Sequence, residues 1–338
     1  MLPPGWHSCG LESGREPRVC PLGVAAGSRF GIKAKGSPLR FAILKTLLAI
    51  VSIWPLLACA AESVATVTLL EGTGALLRAS YRYALAEGVR LEAGDVLELS
   101  DKALLQVEFN DGTLAALGPR TRLMVLSYPA SARIRGGGEL FLLSGWLKTS
   151  HSRPASRVVT RLSTALVEIG IEDATVVVLA TADESAMFVE SGEARLAQIV
   201  RSGSAAETTR LKAGQFFSRK GDQRGVVAPR PAHSFVEAMP RSFMDTLPSR
   251  LAKFKERAVA PRRGADFTYA EVEVWINSAP PVRRALVARW HAKAAEPAFR
   301  SALAANLKDH PEWDRVLNPE KYQNTPGSWG AKPATESQ

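Results

Sequence analysis

The chain has 338 residues, 46% of them hydrophobic and 22% charged, enough apolar material for one large or two packed domains and too much for a wholly disordered protein. Its formal charge of +10 sits at the ends: Lys and Arg number 7 against 2 Asp and Glu in residues 1–60, 20 against 20 in 61–240, and 16 against 11 in 241–338. A neutral centre of this size argues against a nucleic-acid partner.

Residues 1–40 are rich in Gly, Pro, Ser and Arg without periodicity, and read as disordered or as an over-extended start of the reading frame. Residues 41–60 read as a signal peptide. Lys33, Lys35, Arg40 and Lys45 form a basic flank ahead of the uncharged run Thr46–Leu57, which has the length of a signal h-region and falls short of the roughly 20 residues a membrane span needs. Ala58-Cys59-Ala60 supplies small residues ahead of a cut before Ala61. Leu56-Leu57-Ala58-Cys59 also looks like a lipobox, which makes Cys59 a candidate for lipidation and membrane attachment. Retention of the segment from Phe41 as a single-pass anchor is the third alternative. The first two place the mature protein in the periplasm, free or lipid-anchored. All three cysteines (Cys9, Cys20, Cys59) precede residue 60, so the remainder has no disulfide framework.

Residues 64–225 read as an all-β body. Ala103–Phe109 alternates, with Leu105, Val107 and Phe109 on one face and Gln106 and Glu108 on the other, as a half-buried strand does. Asn110-Asp111-Gly112 follows as a tight turn, and Thr113–Leu117 and Arg122–Leu126 return. Further short strands are expected at Leu140–Leu143, Gly145–Lys148, Arg157–Thr160, Leu166–Ile169, Thr175–Leu179, Met187–Val189, Arg195–Ile199, Thr209–Leu211 and Phe216–Arg219. Two internal echoes favour a repeat-like, solenoid-like stack over a closed barrel. Leu91-Glu92-Ala93-Gly94-Asp95 resembles Leu211-Lys212-Ala213-Gly214-Gln215, and Leu143-Ser144-Gly145 resembles Glu190-Ser191-Gly192.

These residues resemble a known family over about residues 66–220. Gly94-Asp95 ahead of an alternating strand, Asp111-Gly112-Thr113, the return from Leu117 through Leu123 and the step from Gly138 through Gly145 look like the ordered motifs of a FecR domain. The resemblance implies an extracytoplasmic all-β module of a bacterial envelope. Some members are membrane-spanning anti-sigma regulators that relay transporter occupancy; others are secreted or lipid-anchored. The N-terminal region here lacks a helical domain able to hold a sigma factor, so the secreted type is expected and the membrane-anchored regulator is the alternative.

Residues 226–240, with Pro229, Pro231 and Pro240, read as a linker, 241–322 as a small helical appendage, and 323–338 as a disordered tail. Leu247, Leu251, Phe254 and Ala258 fall at helical spacing. Thr268 and Glu271 form a capping-box pattern, Pro280-Pro281 opens a helix with Val282, Leu286 and Trp290, and Pro297 opens one with Phe299, Leu303 and Leu307. Tyr269, Trp275, Trp290, Phe299 and Trp313 make an aromatic stripe read as core rather than as a binding platform. Arg283, Arg284, Arg289 and Lys293 make a basic face read as solvated rather than as an anion site.

No G-x-S-x-G, H-E-x-x-H, C-x-x-C or P-loop pattern occurs. His151 stands alone in a Ser/Arg/Pro stretch and reads as a loop residue. The cluster Asp309, His310, Glu312 and Asp314 has poor spacing for a metal, and the glycines 136–138 beside Arg133 and Arg135 do not open a helix. No catalytic, metal or cofactor residue is expected. The residues expected to matter most are turn and fold determinants: Gly94, Asp95, Asp111, Gly112, Gly145, Gly192 and Gly214. The functional expectation is a non-enzymatic envelope module that binds a protein or a cell-wall polymer. A glycan-acting enzyme is the weaker alternative.

Overall fold

Alternating apolar and polar residues between turn signals fold here into strands, as the pleat requires. The computed structural model describes residues 62–129, 137–151, 159–199, 208–246 and 248–323, all within one compact unit, Ala60–Gln338. The fold is mainly β, with 44% of the described residues in strands and 24% in helices, the helices lying at the C-terminal end. In chain order the strands are β1 (Ser63–Glu71), β2 (Gly74–Arg78), β3 (Tyr81–Ala84), β4 (Arg90–Glu92), β5 (Val96–Leu99), β6 (Leu104–Phe109), β7 (Thr113–Leu117) and β8 (Arg122–Ser127). They continue with β9 (Glu139–His151), β10 (Thr160–Ser163), β11 (Val167–Ala180), β12 (Glu184–Gln198), β13 (Thr208–Lys212), β14 (Phe216–Lys220), β15 (Val226–Ala228) and β16 (Arg262–Arg263).

One hydrogen-bonded network joins all sixteen, but it folds into two layers because β9, β11 and β12 each serve both. The first half of β9 pairs with β8 and β10, and its second half with β7 and β11. The second half of β12 pairs with β13, and its first half with β14. A front layer therefore runs β13–β12–β11–β10–β9–β8–β5–β2–β3–β16, and a back layer β15–β14–β12–β11–β9–β7–β6–β1–β4. Strands that switch sheets do so at bends and bulges. Gly145 (φ 98°) and Gly192 (φ 74°) mark the bends of β9 and β12, and register shifts between Ile171 and Asp173 and between Thr175 and Val176 mark that of β11. The backbone demands glycine at both bends. A Cβ at Gly145 would lie 2.4 Å from Thr121 Cα, and one at Gly192 would lie 2.0 Å from the Asp173 carbonyl oxygen.

Six of the expected short strands are thus three long bent ones, because the ladder continues through glycines that read as breaks. Both sequence echoes have a structural counterpart. The Ser-Gly pairs are the two bends, and the Ala-Gly pairs are two crossings between layers, β4 to β5 and β13 to β14. In the first crossing the Glu92 N–H donates to Asp95 Oδ2 (2.8 Å) and the Asp95 N–H to the Glu92 carbonyl (3.2 Å). In the second, Lys212 and Gln215 repeat the pattern at 2.8 and 3.0 Å.

The main core lies between the layers and includes Leu76, Leu97, Leu105, Val107, Phe109, Leu140, Val178 and Leu196. Each outer face is partly covered by the C-terminal third, which runs from back to front. Across the back, helix α1 (His233–Ala238) and the following turn place Phe235, Met239 and Phe243 on Ala116, Trp146, Val177 and Phe216. The stretch expected to be a linker therefore holds β15 and α1, its prolines lying between elements rather than in open chain. Leu251–Phe254 is only a 3-10 turn rather than the expected helix. Its approach is tied to the sheet instead: Gln106 Nε2 donates to the Pro248 carbonyl (2.9 Å), and Glu108 accepts from Ser249 Oγ (2.5 Å) and the Arg250 N–H (2.6 Å). These contacts bury Gln106 and Glu108 to 1% and 3% exposure, so β6 is covered on both faces and not half-buried.

On the front, α2 (Tyr269–Ile276), α3 (Pro280–Trp290), α4 (Pro297–Ala305) and the short helix α5 (Asp314–Leu317) form one apolar cluster with Leu77, Val96, Met124 and Phe141, and an exposed turn of helix, α6 (Glu320–Gln323), follows. The Thr268 N–H donates to Glu271 (2.8 Å), closing the capping box, and this bond holds the Glu271 pKa low. No helix among the described residues is long and apolar enough to cross a membrane.

Candidate functional site

The helices stop short of the far end of the front layer, and a hollow opens where they stop. Alternation along β11 sends Val167, Ile169 and Ile171 into the core and leaves Glu168, Gly170 and Glu172 on the outer face. Antiparallel register sets Arg161 of β10 opposite Gly170 on one side and Arg195 of β12 opposite it on the other. Directly opposed residues share a face, so both arginines flank the missing side chain. The result is a hollow of about 330 Å³ reaching Pro281 at the start of α3, adjoined by one of about 180 Å³ that extends past Asp173 and Glu193. The two share Val159, Gly170 and Arg195. Two ion pairs edge the face, Arg161–Glu139 (3.2 Å) and Arg210–Glu193 (3.5 Å). Both are exposed, so water screens them and the side chains stay free to exchange partners.

The residues singled out from sequence lie elsewhere. Gly94, Gly112 and Gly214 have φ of 88°, 93° and 85° at their turns, and Gly145 and Gly192 sit at the strand bends. Asp95 is buried beneath Arg78, which donates Nε to Oδ1 (2.9 Å) and Nη2 to Oδ2 (2.6 Å) while pairing with Glu92 (2.7 Å). Burial raises the Asp95 pKa and the guanidinium offsets part of that rise. Asp111 Oδ1 accepts the Thr113 N–H (2.8 Å), and Oδ2 accepts the Tyr128 hydroxyl (2.9 Å). Tyr128 stacks on Phe109 with centroids 4.0 Å apart, and its burial followed by the Asp111 charge drives its pKa upward. Asp111 thus joins the turn to the interlayer core, beyond the local backbone bond its turn position suggests.

The aromatic stripe is core: Trp275, Trp290 and Trp313 have no exposure. The basic face is mostly engaged. Arg283 pairs with Glu312 (3.0 Å), Arg289 donates to the Ala93 carbonyl, and Lys293 is buried with Glu296 (2.7 Å) and over the Phe267 ring. The acidic cluster is dispersed among separate partners. His310 is buried between Asn277 and the Leu303 carbonyl, Glu312 pairs with Arg283, and Asp314 accepts from Tyr322, Asn318 and Lys321. His151 is the last residue of β9 and not a loop residue. Cys59, the segment Thr46–Leu57, Arg133, Arg135 and Gly136 lie outside the described residues.

The sequence reading missed Arg161, Gly170 and Arg195. Their signal was present as polar residues alternating with core positions in three separate segments, but only strand pairing makes them neighbours.

No family model matches the chain, and no curated protein matches it. Among solved structures, the chain is similar to two crystal structures, each described as a "putative anti-sigma factor" from Parabacteroides distasonis. The one at 2.50 Å resolution shares 13% identity at a TM-score of 0.34, over 42% of this chain and 64% of that one. The one at 1.65 Å shares 15% at a TM-score of 0.32, over 39% and 57%. The chain spans less than two thirds of either neighbour's length.

Proposed function

We propose that the protein is a non-enzymatic binding module of a bacterial cell envelope, of the FecR-like type, that engages a protein or cell-wall polymer through the uncovered front face. The observation that carries this reading is the hollow over Gly170. It is concave, it is built on paired strands that hold its walls in place, and charged side chains ring it. The chain's own C-terminal third packs on part of each outer face and leaves this stretch of the front layer uncovered. The basic flank, the apolar run and the small residues ahead of Ala61 support export.

The test is affinity capture from solubilised envelope with the wild-type chain and an Arg161→Glu/Arg195→Glu variant. A component captured by the first and lost from the second supports the reading. Equal capture by both removes this face from consideration. Co-purification of an outer-membrane transporter would favour the membrane-anchored regulator. Intact mass of the exported protein separates a diacylglyceryl adduct on Cys59 from an N-terminal Ala61, and a retained Thr46–Leu57 refutes cleavage.

A further inference from the structure

We propose that the hollow over Gly170 binds a short zwitterionic peptide, of the kind found as the peptide stem of a cell-wall polymer; this rests on the binding-module reading above. The argument begins with a glycine the fold does not need. Gly145 and Gly192 are imposed by their backbones, but Gly170 lies in a regular stretch of β11, outside the left-handed region. The nearest atoms to a Cβ at position 170 would be Val159 Cγ1 at 3.6 Å and Arg195 Cβ and carbonyl oxygen at 3.9 Å, all ordinary contacts. Glycine weakens a strand interior, and there it often marks close approach by a ligand or another chain. Here it leaves the space between Arg161 and Arg195 open to solvent.

The charges around that space set the ligand's chemistry. Across the strands stand two guanidiniums, each about 5 Å from Gly170 at the Cα level. Along β11 stand two carboxylates, Glu168 and Glu172, each about 7 Å away. A polyanion would satisfy the arginines but face Glu168, Glu172, Asp173 and Glu193. A polycation would meet the reverse conflict. A molecule carrying a carboxylate and an ammonium one or two residues apart satisfies both axes, the carboxylate accepting from Arg195 or Arg161 and the ammonium donating to Glu168 or Glu172. Arg195 has no ion pair among the described residues, so it can turn to a ligand without breaking one. The hollow's volume of about 330 Å³ suits a di- or tripeptide. A short peptide carrying a diamino acid with a free amine and carboxylate fits this description, and in an exported protein the cell-wall stem is its source.

Isothermal titration of the full chain with the tripeptide L-Ala-γ-D-Glu-meso-diaminopimelate tests the assignment. The expected result is a sub-millimolar Kd, weakened at least tenfold by Arg195→Ala and by acetylation of the free diaminopimelate amine, the ammonium that a wall-linked stem retains. Gly170→Val is the decisive variant, since its branched side chain projects between Arg161 and Arg195 at the floor of the hollow while suiting a strand. It should abolish binding with an unchanged or raised melting temperature. Unaltered affinity in Gly170→Val, or no binding of the tripeptide by the wild type at millimolar concentration, overturns the inference. If the wild type still captures an envelope component through Arg161 and Arg195, the binding-module reading survives that failure. If the face variant captures the same material as the wild type, the face fails with it.

Discussion

Removing the Asp111 side chain should destabilise the protein more than distorting the turn beside it. By sequence position Asp111 makes only a local bond, and Gly112→Val would be the costlier change. The structure reverses that order. Asp111 is 5% exposed, and its two oxygens accept from the Thr113 N–H (2.8 Å) and the Tyr128 hydroxyl (2.9 Å). Thr113 is fully buried, and Tyr128 is 7% exposed. Asp111→Ala therefore takes a charged acceptor from two buried donors; leaving such a group unsatisfied costs about 1–3 kcal/mol, and the Tyr128 hydroxyl keeps the Thr113 and Thr160 side chains as neighbours. Allowing for partial relaxation, the loss should be about 3 kcal/mol. Forcing a β-branched residue to the φ of 93° at Gly112 costs about 1–2 kcal/mol by comparison. For a unit of this size the Asp111→Ala loss corresponds to a melting temperature lower by about 6–12 °C. Urea denaturation of Asp111→Ala, Tyr128→Phe and the double variant would measure it. A coupling energy above about 1 kcal/mol is expected between the two sites. A loss below about 0.5 kcal/mol for Asp111→Ala would refute the reasoning, because the carboxylate could not then be holding the turn to the core.

Gly145→Ala should cost more than about 2 kcal/mol, since strained φ and a Cβ only 2.4 Å from Thr121 Cα act together, whereas Gly214→Ala, strained but in open space, should cost about 1 kcal/mol; equal urea midpoints would contradict this. Lys148→Met removes the ammonium that binds Glu190 (2.8 Å) and the carbonyls of Phe243 (2.6 Å) and Asp245 (3.2 Å), and should cost about 2–3 kcal/mol. Proteolysis should then cut between Phe243 and Arg250 well before the rest of the chain, and an unchanged digest would count against the tether. His310, held below its ordinary pKa of 6.5 by burial, should make stability fall with acidity. The unfolded chain takes up the proton first as pH drops through about 6.5, so the contribution present above that value is lost toward the lower folded pKa. His310→Gln should flatten the change in urea midpoint between pH 7.5 and 5.5, and a slope equal to the wild type's would reassign it.

The residues alone were enough for the mainly-β body, the helical end and the turns at Gly94, Gly112 and Gly214. Those features are local: alternation, capping boxes and glycines of positive φ act within a few residues. The echoes at Gly94 and Gly214, and at Gly145 and Gly192, also carried real geometry, since each pair repeats one crossing or bend. What the sequence left open was how the pieces meet. Ser144-Gly145 and Ser191-Gly192 look like breaks until hydrogen bonds on both sides show a strand continuing into the other layer. Gln106 and Glu108 look solvent-facing until residues 248–250, more than a hundred positions away, cover them. Arg161, Gly170 and Arg195 become one site only because three strands from separate segments lie in register. Burial, partner and neighbourhood depend on contacts distant in sequence, and only the packed chain supplies them.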